Sequence, residues 1–217
     1  MPCGTTGEGP LLEDDEVAQW TAATVAAAAE RVSVLAHVGR PSTQATAALA
    51  RRALADGVAG VSAVVPYYYA LDDQQLLKHY RALIEAADGA RSYAYTIPAR
   101  TGNELAPGLA RRLGAEGLSG IKDSTKSWEL HTEYLEVGVE VLIGTDALVV
   151  DSFRAGSAGC VSALANVRPD LLCRARDGED VQEEISALRA ELPFPKLKAA
   201  LAKRLPGYPT VYRAPLG

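Results

Sequence analysis

The sequence predicts an α/β protein of parallel strands, arranged as a (β/α) barrel and short of closure at its amino-terminal side. Three observations predict this. Short apolar runs alternate with longer segments of helical spacing. The strand segments are continuous apolar runs rather than apolar/polar alternations, as in a sheet covered on both faces. Polar residues gather just after successive strands, the habit of a barrel, whereas a doubly wound open sheet, the other architecture that suits, would concentrate them at one switch point.

The elements follow in order. Strands are expected over Val32–Val38, Gly60–Pro66, Ser92–Ile97, Leu118–Lys122, Val139–Ile143 and Cys160–Ala163. Helices are expected from near Glu13, over Ser42–Asp56, Asp72–Ala87, Glu104–Leu113, Ser127–Glu136 and Ala147–Ala155, then near Glu179–Leu192 and Lys196–Leu205. The clearest is Asp72–Ala87, where Leu76, Leu77, Tyr80, Leu83, Ile84 and Ala87 share one face and Asp72 with Gln75 forms a capping pair. In the last long helix Val181, Ile185, Leu188 and Leu192 form the buried stripe. Six strands are clear where a closed barrel needs eight, and Pro2-Cys3 reads as the stub of one more. Residues 1–166 are expected to form the partial barrel, and 167–217 a helical extension packed on it.

The 217 residues are ordinary globular material: 48% hydrophobic, 23% charged, net charge −5. That balance gives no reason to expect nucleic acid or an anionic membrane as partner, and no apolar run is long enough to span a bilayer. Met1–Pro10 lacks the basic start and apolar stretch of a secretory signal. Cys3, Cys160 and Cys173 form no C-x-x-C pair and read as free thiols of a reducing, cytoplasmic setting. His37, His79 and His131 lie far apart, so no metal and no cofactor is expected.

Four segments can carry chemistry. Gly4-Thr5-Thr6-Gly7-Glu8-Gly9 places hydroxyls and backbone N–H groups ahead of a helix, where an anion's oxygens can be held; taken alone, a plain glycine-rich connector is the better account. Lys122 ends an apolar strand in Gly120-Ile121-Lys122-Asp123. Strand alternation turns Ile121 to the helices and Lys122 to the interior, where a dry setting lowers the amine's pKa and lets it condense with a ketone. A structural ion pair with Asp123 or Glu116 is the competing account, and Lys126, in the following loop, is a weaker rival. Tyr95 lies in its strand and Arg100 in the loop beyond; a phenol near an imine can relay protons and a guanidinium can clamp a carboxylate, while a core tyrosine with a satisfied hydroxyl and a solvated surface arginine is the commoner account of such residues. Pro66-Tyr67-Tyr68-Tyr69 sets aromatics at a strand end, for a pocket, a subunit contact or simple packing. Gly144-Thr145-Asp146 and Gly159-Cys160-Val161-Ser162 are weaker signals near the last two strands.

Taken in order, GTTGEG at 4–9, VPYY at 65–68, YTIPARTG at 95–102, GIKDST at 120–125, IGTDA at 143–147 and GCVSALANV at 159–167 resemble the dihydrodipicolinate synthase / N-acetylneuraminate lyase family, with a weaker echo in PFPKLKAAL at 193–201. The resemblance implies a (β/α)8 TIM barrel and class I aldolase chemistry: a lysine Schiff base with pyruvate or another 2-oxo acid, and an aldehyde as second substrate. It implies Lys122 as the imine-forming residue, Tyr95 as the proton relay with Thr6, and Thr5 and Thr6 as holders of the substrate carboxylate. It implies Tyr68 as a tyrosine lent across a dimer interface, Gly144 and Val161 as backbone positions at the substrate, and Arg100 as the arginine of the synthase branch. A homo-oligomer, dimer or tetramer, is implied too. The departures are Tyr69 and Thr96, where the family usually has Asn, and a first βα unit and most of a second strand that are missing. The alternatives are a sugar-acid aldolase or dehydratase of the same family, or a catalytically inactive barrel fragment.

Overall fold

The computed structural model describes residues 1–216. They form two compact units, Met1–Val141 and Leu142–Gly217, the last residue of which lies outside the described ones. The residues from Ile143 onward share an apolar core of their own, so the division between the units falls within a strand.

In the first unit, helix α1 (Asp14–Ala28) precedes strand β1 (Leu35–His37), followed by α2 (Thr43–Ala55), β2 (Gly60–Val64), α3 (Asp73–Ala87) and β3 (Arg91–Thr96). The short α4 (Pro98–Thr101), then α5 (Pro107–Ala115), β4 (Gly120–Asp123) and α6 (Trp128–Leu135) complete it, with the start of β5 (Glu140–Ile143). Neighbouring strands pair in chain order and in parallel: β1 with β2, β2 with β3, β3 with β4. Glu140 continues the pattern, its N–H donating to the Ser119 carbonyl at 3.1 Å. Pro2-Cys3, expected as a strand stub, lies in a turn, although the Pro2 carbonyl accepts the His37 N–H at 3.3 Å.

Alternation along these strands sorts two faces. Ala36, Val61, Ala63, Ala94 and Ile121 point to the helices and are fully buried. They join the core with Leu76, Leu77, Tyr80 and Leu83 of α3, and the Tyr80 hydroxyl donates to the Ala63 carbonyl at 3.2 Å. Each such buried leucine contributes roughly 1.5–3 kcal/mol. The expected capping pair holds α3: the Asp72 carboxylate accepts the Gln75 N–H, and the Gln75 side chain accepts the Asp72 N–H, both at 2.8 Å. The opposite face carries His37, Ser62, Val64, Tyr93, Tyr95, Gly120 and Lys122, in register across the four strands.

Helix α5 starts at Pro107 rather than Glu104. Pro107 supplies the preset φ of a first helical turn, and the Thr101 hydroxyl, donating to the Asn103 carbonyl at 2.7 Å, holds the preceding residues in a turn.

In the second unit the end of β5 pairs with β6 (Gly159–Cys160), Leu142 opposite Gly159 and Ile143 opposite Cys160. Helices α7 (Val149–Arg154), α8 (Pro169–Arg176), α9 (Gln182–Glu191) and α10 (Leu197–Arg204) follow. Strand β6 is shorter than the expected Cys160–Ala163, because the Ser162 hydroxyl accepts the Leu164 N–H at 2.9 Å and starts a 3-10 turn, Ala163–Asn166. Val181, Ile185 and Leu192 are buried and Leu188 packs against them, as the stripe at α9 anticipates. No helix among the described residues is long and apolar enough to cross a membrane.

Candidate functional site

The carboxyl ends of β2, β3 and β4 place Val64, Tyr95 and Lys122 side by side, Val64 opposite Tyr95 and Tyr95 opposite Lys122. The Lys122 side chain is 6% exposed, and its Nζ lies 3.7 Å from the centroid of the Tyr95 ring. A cation so placed over an aromatic face is held by the ring's negative face. The alternation inferred from sequence is met: Ile121 turns to the helices and Lys122 to the other face.

Glu116 and Asp123, the two carboxylates the sequence offers as rivals, each hold other groups. Glu116 is bound by Arg81 at 2.6 Å and approached by Arg112 at 3.5 Å. Asp123 points to the helix side, where one carboxylate oxygen accepts the Thr125 N–H and hydroxyl at 2.8 and 2.7 Å and the other meets Nδ1 of His131, on α6, at 2.7 Å. Asp123 thus fastens the loop that leaves β4 directly after Lys122. Lys126, in that loop, is exposed.

The glycine-rich turn at 4–9 supplies the next group. The Thr5 hydroxyl shares a hydrogen bond with the Tyr95 hydroxyl at 3.1 Å. The relay partner implied by resemblance was Thr6; Thr6 sits half-buried in the same turn, and the hydroxyl on Tyr95 is that of its neighbour. The turn closes tightly. A Cβ on Gly9 would stand 1.7 Å from the Cys3 carbonyl oxygen, so no larger residue fits there. Arg40, just beyond β1, holds the exit of the turn. Its guanidinium donates to the Gly9 carbonyl at 3.1 Å, the Leu12 carbonyl at 2.9 Å and the Asp14 carboxylate at 2.7 Å.

Besides Arg40, two groups here are not among the site residues inferred from sequence. His37 ends β1, buried, with its ring edge-on to Tyr95 at 6.0 Å between centroids. Nε2 accepts the Val64 N–H at 3.3 Å, which places the ring proton on Nδ1. Burial, with the nearby Lys122 and Arg40 charges, pushes the imidazole down to about 3, so the ring is neutral at ordinary pH. Its position in an apolar strand was the available signal. The second is Asn103, whose side chain donates to the Pro66 and Tyr69 carbonyls, each at 2.8 Å, and accepts the Leu71 N–H at 3.0 Å. It fastens the tyrosine turn to the loop after α4.

The remaining residues lie apart from this cluster or in the second unit. Tyr68 is 85% exposed, at φ 83°, an uncommon value for a residue other than glycine, and its ring packs edge-on to Tyr69 at 5.0 Å. Arg100 is exposed on α4, with no ion pair among the described residues. Gly144 and Val161 belong to the second unit, where the Val161 N–H donates to the Ile143 carbonyl at 2.8 Å and extends the β5–β6 pairing. No cluster of three or more His, Cys, Asp or Glu among the described residues could hold a metal ion.

A parallel β/α wall with a buried lysine, a tyrosine and a threonine hydroxyl at its strand ends belongs to the class of β/α enzymes that build their sites at the carboxyl edge of the sheet. Comparison with known proteins narrows the class. Residues 1–189 match the dihydrodipicolinate synthetase family, and the chain belongs to that family. It is 37% identical over 220 residues to an uncharacterized DapA-like lyase of Halobacterium salinarum, covering all of this chain and 71% of that protein. It is 31% identical over 205 residues to the 4-hydroxy-tetrahydrodipicolinate synthase of Geobacter sulfurreducens, covering 93% and 70%. The crystal structure of dihydrodipicolinate synthase from Aquifex aeolicus superposes with a TM-score of 0.89 at 28% identity, over all of this chain and 79% of that one. The α/β fold of parallel strands is thus that of the TIM-barrel-like synthases, and the chain is a lyase- or aldolase-family protein.

Proposed function

We propose that this protein is a class I aldolase in which Lys122 condenses with pyruvate or a related 2-oxo acid. The observation that carries the reading is the amine of Lys122, buried at the end of β4 and lying on the Tyr95 ring, with the Thr5 hydroxyl on the far end of that phenol. The Lys122 amine, once it has given up its proton, adds to the ketone carbon, and the carbinolamine oxygen leaves as water after receiving a proton from the Tyr95 hydroxyl. The imine nitrogen, protonated, draws electrons from the adjacent carbon. Loss of a proton from that carbon to the Tyr95 oxygen gives an enamine, which adds to an aldehyde. Run backward, the same steps cleave a hydroxy-oxo acid.

Thr5 connects Tyr95 to the turn at 4–9, whose N–H groups and hydroxyls, that of Thr6 included, would receive the substrate carboxylate. Arg100, exposed on α4, would clamp the carboxylate of an acidic aldehyde. Gly144 and Val161 are assigned to the backbone around bound substrate, by family resemblance alone. Tyr68, exposed in this chain, is assigned to a neighbouring subunit's site, which makes a homo-oligomer the active form. The 31% identical Geobacter protein supports the synthase direction, condensation with an aldehyde, over other uses of the enamine.

The test is chemical trapping. Purified protein is mixed with pyruvate and borohydride, digested, and read by mass spectrometry. An N-carboxyethyl group on the peptide holding Lys122 is expected; a folded sample labelled only elsewhere, or not at all, sinks the mechanism.

A further inference from the structure

Strand register places Val64, Tyr95 and Lys122 in one layer, and His37 one layer below, opposite Ser62. Yet the His37 ring does not stay in its own layer. In a parallel ladder the Val64 N–H would find a backbone carbonyl at the end of β1; here, one rung past the Val38 N–H on the Ser62 carbonyl at 2.8 Å, it donates to Nε2 of His37 instead. The ring therefore reaches up to the level of Val64, where Tyr95 stands, and meets the Tyr95 ring edge-on at an interplanar angle of 82°. The backbone N–H of His37 donates to the Pro2 carbonyl at 3.3 Å, in the segment leading to Thr5. His37 thus meets β2 and the phenol of β3 through its ring, and the approach to the turn whose threonine binds that phenol through its backbone.

We propose that His37 is a positioning residue for the Lys122–Tyr95 pair: its ring, locked by the Val64 N–H, is the wall that keeps the Tyr95 phenol across the lysine amine. The inference rests on Lys122 being the imine-forming residue. A phenol that must give a proton to the departing oxygen and then take one from carbon needs its hydroxyl within hydrogen-bond reach of both atoms, and a displacement of about 1 Å can cost two orders of magnitude in rate. Tyr95 is tied at its hydroxyl end by Thr5; the His37 edge restrains the ring.

The experiment measures the rate of borohydride trapping at Lys122 against pyruvate concentration for the wild type, His37→Gln and His37→Leu, each normalised to folded protein by near-ultraviolet circular dichroism. Gln can accept the Val64 N–H through its amide oxygen; Leu fills volume and accepts nothing. In His37→Leu the saturating rate is expected to fall about tenfold, with half-saturating pyruvate changed less than about twofold, and His37→Gln is expected to recover most of the loss. Equal saturating rates for His37→Leu and wild type overturn the proposal, as does a Gln variant as slow as the Leu variant. If wild type itself gives no adduct on Lys122, it is the aldolase reading that fails, whatever the His37 variants do.

Discussion

Acidification from pH 7 to pH 5 is expected to cost this protein about 4 kcal/mol of folding stability through His37 and His79 alone. Both imidazoles are buried, and burial holds them below their ordinary 6.5, at about 3 for His37 and about 4 for His79. Lys122 and Arg40 add to the effect at His37, and the Cys3 carbonyl opposes it. His79 keeps one bond, Nδ1 to the Thr43 hydroxyl at 2.9 Å, while its Nε2 has no partner among the described residues. Below pH 6.5 the unfolded chain takes up protons at these positions and the folded chain does not. Stability is therefore intact above 6.5 and falls as pH drops toward the folded values. At pH 5 the unfolded state has gained roughly 2 kcal/mol per histidine. The assay is urea unfolding at pH 7 and pH 5 for the wild type, His37→Gln and His79→Asn. Each variant should lose about half of the pH-dependent change. A variant whose midpoint shifts with pH as much as the wild type's would refute the claim that its imidazole stays neutral in the folded protein.

Four further outcomes follow from the geometry. Gly9→Ala should destabilise by on the order of 3 kcal/mol, read as a lowered urea midpoint, because the new Cβ would stand 1.7 Å from the Cys3 carbonyl oxygen. Asn103→Ala removes three hydrogen bonds from the tyrosine turn; a loss of about 2–3 kcal/mol and faster chymotryptic cleavage at Tyr67–Tyr69 are expected, and an unchanged cleavage rate would count against the clamp. Ser62→Ala should be neutral or stabilising by about 1 kcal/mol in thermal melts, since the buried hydroxyl has no partner among the described residues. Tyr95→Phe keeps the ring against Lys122 and deletes the hydroxyl, so borohydride trapping should slow by about 100-fold while the chain folds normally.

Much of the first unit is legible in its residues. Asp72 and Gln75 announce the start of α3, and Gly120-Ile121-Lys122 shows by period-two spacing which side chain faces the core and which the site. Other features depend on partners distant in sequence. Thr5 and Thr6 are chemically alike, and only the fold of the turn decides which hydroxyl reaches Tyr95, 90 residues away. His37 sits in an unremarkable apolar run, and its importance comes from a ring that leaves its own layer to meet Val64. Helix α8 is absent from the elements its sequence predicts, although Pro169 opens it and Leu171, Leu172 and Ala175 supply its buried side; the run is only eight residues long and polar elsewhere, so its periodicity is faint. Asn103 carries no motif of its own, because a clamp made of backbone carbonyls leaves no trace in the residues it holds.

The neighbours Ile121 and Lys122 tie the protein's assembly to its chemistry. Were β4 to join β3 one position out of step, the ammonium would be driven into the apolar core that Ile121 now joins, while isoleucine faced the site. Such a misassembled sheet strands a charge in hydrocarbon, at a cost of several kcal/mol, and dissolves before it persists. The residue assigned to the reaction therefore also proofreads the alignment of the strand that carries it, and substituting Lys122 with methionine would remove both the proposed amine chemistry and this safeguard against slippage.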